Sequence, residues 1–384
     1  MNAVSFIAFL SLVTAPPAAE PTAFSKMADR LDPRNGVMGR RAAAEALAKA
    51  GPAAGEATPA LLQALANDKD TAVRHFAASA LGKMTQCPDL TVPALIAALG
   101  DAEWTVRYNA TLALVGVGTA AVPALQKSLE TESAFQRAHA MQVLLSIDPS
   151  HSAGVMSRLV KLLTDESAEV RGIAVVTTGL AGSAGESAVP ALIALLESPE
   201  AEFRQQVMAA LAKIGPPAAC AALPKLISLL KLEKDKWNRI GAALALGVLG
   251  KDHPEAISAL LQALTDKDSR VRSYCAVALT QIGPQALPAL QQQLKSGDPR
   301  LRKLSAVSIG NMGAAAGDAA GSLLALLNDP DIETRAAAVD ALGTVGEASP
   351  AVTAALEKAR DHESTDSVLK ARYTQALANL RPAK

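Results

Sequence analysis

At 384 residues a single globular core would be unusually large, so the chain is expected to hold either two domains or an array of repeats. Half of the residues are apolar but only 3% are aromatic, and 37 basic residues balance 37 acidic ones, so no net field draws the protein to nucleic acid or an anionic membrane. Cys87, Cys220 and Cys275 stand far apart with no CxxC spacing, which excludes a metal knuckle and a disulfide framework.

The chain opens on NAVSFIAFLSLVTA (2–15), a short apolar run followed by PPAAEPTA. Such a run is too short to span a bilayer and resembles the apolar region of a signal peptide with a small-residue cleavage zone, although no Lys or Arg precedes it. Residues 1–19 are read as a signal peptide for export to a periplasmic or extracellular location. The alternative is a cytoplasmic protein with a buried or frayed N-terminal segment. No cysteine follows to take a lipid, nothing else in the chain reaches transmembrane length, and residues 20–33 read as a linker.

From residue 34 to 380 one pattern recurs. Its arginines are Arg40, Arg74, Arg107, Arg137, Arg171, Arg204, Arg239, Arg272, Arg302 and Arg335, with Lys370 in the last slot, spaced 30 to 35 residues apart. A period this steady marks a solenoid. Thirteen to fifteen residues before most arginines stands a helix opener, Pro59, Pro93, Pro123, Pro190, Pro224 or Pro288, with Ser157, Ser258 and Ser322 in the same place. Proline suits a first helical turn because the amide it lacks would have no partner there. Helix A of each unit therefore starts near 59, 93, 123, 157, 190, 224, 258, 288, 322 or 353.

Six residues before the arginine an acid recurs as Asp68, Asp101, Asp165, Glu233, Asp266 and Asp329, placed to cap helix B. Helix B carries a helical apolar stripe, as in Val271, Cys275, Leu279 and Ile282. It ends at glycine eleven residues after the arginine, in Gly51, Gly118, Gly182, Gly215, Gly250, Gly283, Gly313 and Gly346, where a left-handed cap is expected. A two-helix unit cannot bury this stripe alone, so neighbours must stack.

The proline-led first helix, acidic turn, V-R, A-x-x-A-L and I-G resemble HEAT repeats, in particular the short kind named after phycobilisome lyases. The resemblance implies an all-α, right-handed α-solenoid of about ten to eleven two-helix repeats, with helix A on the convex face and helix B on the concave one. It also implies that Arg74, Arg107, Arg137, Arg171, Arg204, Arg239, Arg272, Arg302 and Arg335 pair with the turn acids as a ladder between repeats. The first unit keeps only helix B, Arg40 to Gly51, and the last is longer and more charged, as terminal caps should be.

Chemistry on this fold has requirements that can be checked. A HEAT-like deoxyhypusine hydroxylase needs several His-Glu pairs on symmetric repeats to hold two irons, and only His362-Glu363 exists here. His75, His139, His151 and His253 lie in different units with no recurring carboxylate spacing. A HEAT-like DNA glycosylase needs a basic, aromatic-rich groove, which a neutral chain with two tryptophans lacks. No G-x-S-x-G elbow and no phosphate-binding glycine loop occurs. A shared fold does not transfer the lyase activity. No catalytic, metal or cofactor residue is assigned, and the enzyme reading, lyase-like or metal-dependent, is the alternative.

What remains is the outward face of helix B. Positions one and five after the arginine are expected to face solvent, yet several are apolar, which suits a groove receiving a peptide or a helix. Trp104 and Trp237, placed in the turns ahead of helix B, are candidate anchors on its rim. The expected contacts are Trp104, Tyr108, Leu112, Trp237, Ile240 and Leu244. The expected function is a scaffold for a protein or peptide partner.

Overall fold

The computed structural model describes residues 22–84, 86–131, 133–363 and 366–382. The predicted leader, residues 1–19, lies outside them. The chain forms two compact bodies, one ending at Ser128 and one starting at Leu129. The boundary falls inside the repeat of Arg137, after its helix A, Val122–Ser128.

Each body is a stack of two-helix repeats. In the first, helices A and B are Thr58–Asn67 with Thr71–Lys83, and Pro88–Ala98 with Trp104–Val117. In the second, the repeat of Arg239 is Leu223–Leu232 with Lys236–Leu249, and that of Arg272 is Pro254–Ala263 with Ser269–Ile282. Within each body successive B helices pack side by side. A two-residue parallel bridge, Glu347–Ala348 with Arg381–Pro382, closes the C-terminal end.

The predicted stripe is the core: Val271, Cys275, Leu279 and Ile282 are all buried. A fully buried Leu or Val contributes about 1.5–3 kcal/mol relative to exposure. Burial pushes the Cys275 thiol up to about 12, which makes this sulfur a small apolar group rather than a nucleophile.

Four local expectations need correction. The stretch 20–33 contains a helix, Ala23–Arg30, capped by Thr22 and packed on Val37–Ala50, so the first unit keeps both helices. Of the eight terminal glycines, six take positive φ between 56° and 80°, but Gly250 and Gly346 do not. Those two are glycine because space is missing: a Cβ on Gly250 would stand 2.6 Å from that of Ala256. The run Trp104–Ser128 is long and apolar enough to cross a membrane by composition. Here it is bent at Gly118, φ 70°, into helices of two repeats, with Val106, Ala110 and Leu114 in the core. The acid six before the arginine, finally, is not the helix cap. The residue four before the arginine caps instead: Asp70 accepts from Val73 N, Asp235 from Asn238 N, and Asp331 from Thr334 N.

A further spacing sets the stack. Eight residues after the arginine, Gly82, Gly179, Gly247, Gly310 and Gly343 lie against Ala113, Ala210, Ala278, Ala341 and Ala376 of the following B helix. A Cβ on Gly310 would stand 2.8 Å from Ala341 Cα, so the helix backbones meet without a side chain between them.

Candidate binding face and the arginine ladder

The arginines and turn acids join repeat to repeat. Arg74 Nε and Nη2 donate to Asp101 at 2.8 and 2.9 Å, Arg239 to Asp266 at 2.8 and 2.9 Å, and Arg302 to Asp329 at 2.7 and 2.7 Å. Arg40 pairs with Asp68 at 2.7 Å and Arg204 with Glu233 at 2.8 Å, while Arg335 reaches Glu363 at 3.7 Å. In each case the acid belongs to the next repeat. Nη1 turns the other way, onto the arginine's own turn: Arg239 onto the carbonyls of Glu233 and Lys234, and Arg107 and Arg137 onto those of Asp101 and Thr131. Asp101 and Asp266 spend their remaining acceptor capacity on the backbone amides of Glu103 and Asp268. One planar guanidinium thus fixes a turn and a repeat junction together, a geometry lysine cannot supply.

These pairs, together with the ion pair of Arg41 and Asp70 between the first two repeats, set an acid limit on stability. The Arg302 hydrogen bond holds Asp329 below the usual carboxylate range, and Arg41 brings Asp70 from 3.8 to about 2. A folded-state value below the unfolded one gives stability that is complete above about pH 4 and lost as pH falls toward 2. The melting temperature should be flat from pH 7 to 5 and fall steeply below 4. Asp70→Asn should flatten that limb, and a wild-type protein equally stable at pH 2.5 and 6 would contradict the pairing.

The six expected contact residues divide. Trp104, Tyr108 and Leu112 form an exposed stripe at i, i+4 and i+8 on one helix of the first body, Trp104 being 66% exposed. The Trp104 and Tyr108 rings stand 6.5 Å apart. In the second body Trp237 is 44% and Leu244 37% exposed, but Ile240 is only 5% exposed and is a core residue, not a contact. Position plus one varies from repeat to repeat: Ile240 and its counterpart Ala138 are buried, whereas Tyr108 at the same position is exposed. Neither tryptophan lies in a turn: Trp104 opens its helix and Trp237 is the second residue of its own. Trp237 lies between two cations, with Lys236 Nζ 5.6 Å and Arg270 Cζ 5.3 Å from the ring.

The apolar plus-five positions noted in the sequence form a longer feature in the second body. Position plus five is apolar in five successive repeats of the second body: Val176, Ala209, Leu244, Val277 and Val307. All are exposed except the half-buried Val307. Because successive B helices pack side by side, these residues make an apolar rail across them. Position minus two runs alongside it as Glu169, Glu202, Trp237, Arg270, Arg300 and Glu333, basic in the middle and acidic at both ends. Reading one unit at a time hides both rows, because each contributes only one residue per repeat.

Stacked helix pairs, an internal Arg–acid ladder and an exposed B-helix face define an α-solenoid. The HEAT-repeat profile matches residues 25–92, 58–146, 156–227, 223–309 and 287–378. The chain belongs to the HEAT-repeat family. Among curated proteins it is 28% identical to a deoxyhypusine hydroxylase of Rattus norvegicus over 236 residues, 55% of this chain and 76% of that one. It is also 28% identical to deoxyhypusine hydroxylase-B of Oryza sativa subsp. japonica over 250 residues, 58% of this chain and 80% of that one. Among solved structures it is similar to Kap121p bound to Pho4p, with TM-score 0.62 and 16% identity over 92% of this chain and 44% of that one. Importin beta gives TM-score 0.61 at 15% identity, over 92% of this chain and 55% of that one. The chain spans about half the length of these two structures.

The hydroxylase likeness meets a donor set that does not fit two irons. Among the described residues no three His, Cys, Asp or Glu side chains are grouped to hold a metal. His362 Nδ1 is engaged with the carbonyl of Lys358 at 2.7 Å, and Asn109 Nδ2 donates to His75 Nδ1 at 2.9 Å.

Proposed function

We propose that this protein is a scaffold that binds a protein partner along its B-helix face. The observation that carries this reading is the apolar rail of Val176, Ala209, Leu244, Val277 and Val307, presented to solvent on adjacent helices. A solvated helix face is ordinarily lined by Lys, Glu or Gln, and an apolar rim of this length lowers the free energy when another chain covers it. Trp237 beside the rail is the type of residue that anchors interfaces. Kap121p, which shares the fold, has been solved bound to Pho4p, which supports a binding role for such a face.

The reading assigns no catalytic residue, and stoichiometric iron in the purified protein would count against it. Its direct test is capture from extracts of the source cells with the wild type and with a Leu244→Asp, Val277→Asp double variant that keeps its helical circular dichroism. A partner held by the wild type should be lost by the variant. The same proteins on both would place binding elsewhere.

A further inference from the structure

The ladder breaks at Arg272. The next repeat carries Ser296 where other repeats carry the acid, and the Arg272 side chain donates only through Nη1, to the carbonyls of Asp266 and Lys267 at 2.7 and 3.3 Å. The edge formed by Nε and Nη2, which at Arg239 and Arg302 grips a carboxylate, has none. A second broken rung shows how such an edge can be covered. The repeat after Arg171 carries Ser198 at the acid position, and there the Phe203 ring stands 6.0 Å from the Arg171 guanidinium. Arg272 also lines a cavity of about 410 Å³ between helix B of its own repeat and Pro299–Asn311.

That cavity is lined by Arg272, Ser273, Arg300 and Lys303, with Asp331 and Glu333 on the far side. Both acids are engaged: Asp331 caps its helix at Thr334 N, and Glu333 receives Lys303 Nζ at 2.6 Å. Arg272 and Arg300 are left with no carboxylate within 4 Å among the described residues. Arg270, two residues before Arg272, lies instead over Trp237 of the preceding B helix. Arg270 and Arg300 are the middle of the row whose ends are Glu169, Glu202 and Glu333, and the rail residues Val277 and Val307 follow Arg272 and Arg302 by five positions.

We propose that the vacant rung at Arg272 is a carboxylate-binding slot that takes an Asp or Glu side chain of the protein partner, with the partner's neighbouring apolar side chains on the rail. This rests on the scaffold reading and specifies the partner's chemistry: an acidic residue within an apolar segment. A guanidinium edge with two parallel donors fits a carboxylate better than any neutral group, and the flanking Glu rows repel a segment that is acidic throughout. The partner carboxylate replaces the one that the chain itself supplies at Arg239 and Arg302.

The test uses the full-length protein and two pools of blocked, fluorescent nine-residue peptides, apolar at alternate positions, with either Asp or Asn at the centre. The wild type should hold the Asp pool about tenfold more tightly than the Asn pool, the scale of a charge-assisted hydrogen-bond pair. Ser296→Asp supplies the missing rung from within, and its carboxylate can take over the bond that Asp298 N donates to Ser296 Oγ at 3.2 Å, as Asp266 accepts from Asp268 N. It should abolish the Asp preference while leaving the melting temperature unchanged or raised, and Arg272→Ala should abolish the preference as well. An Asp preference that survives in the Ser296→Asp variant overturns the slot. So does equal binding of both pools by the wild type, which leaves the scaffold reading standing. Binding of neither pool also rejects the slot, and the scaffold reading is then judged by the capture experiment alone.

Discussion

Arg239→Ala should lower the free energy of unfolding by about 3–5 kcal/mol, whereas Arg272→Ala should cost about 1 kcal/mol. The two arginines hold the same position in adjacent repeats, and both place Nη1 on their own turn. They differ in what the other edge meets. Arg239 is 4% exposed and holds Asp266 by two bonds, so its removal strands a largely buried carboxylate. Arg272 has no carboxylate to strand. Chemical denaturation of both variants at neutral pH decides the matter: equal losses would mean that the arginines act through packing of their alkyl stems, and that the ladder adds nothing measurable.

Gly82→Ala should destabilise the protein by about 1–3 kcal/mol, although alanine is the better helix former by about 1 kcal/mol. Local propensity and packing here predict opposite signs. The added Cβ would stand 2.3 Å from Ala113 Cβ and 2.7 Å from Ala113 Cα, and a neighbouring helix backbone cannot yield as a flexible side chain would. The repeats must separate or the helices must slide. A Cβ added at Gly116, in the following B helix, would meet nothing within 4 Å, so Gly116→Ala is the matched control and should be neutral or stabilising. A stabilising Gly82→Ala would contradict the close approach that sets the repeat spacing.

These contrasts show which parts of the molecule can be read from the sequence. The period, the arginine slot, the proline openers and most glycine caps are local signals, recurring at one spacing, and their helices form where the spacing puts them. The roles of the two turn acids are not local. Asp68 and Asp70 look interchangeable as caps, and only the stack turns Asp68 back toward Arg40 of the preceding repeat while Asp70 caps Val73. The same holds for the Gly–Ala contacts, whose partners are some thirty residues apart in different helices. Ile240 reads as an outward residue because its helical angle is close to that of Leu244, yet the stack buries one and leaves the other exposed. The helix Ala23–Arg30 has no proline at the opener spacing, and its turn places Arg34 where the pattern has an acid, so the repeat pattern passes over it. The continuity of the rail, and its neighbouring row with basic middle and acidic ends, appears once adjacent helices are aligned, and with it the part of the surface that the proposed function uses.

The most direct measurement is hydrogen exchange on the protein alone and in complex with its captured partner. Protection should appear on the B helices that carry the rail and the slot, Ala168–Leu180, Ala201–Ile214, Lys236–Leu249, Ser269–Ile282 and Pro299–Asn311, with the A helices Leu223–Leu232 and Pro254–Ala263 unchanged. Protection on those A helices, with the B helices unaffected, would show that the partner binds the opposite face and would overturn the account.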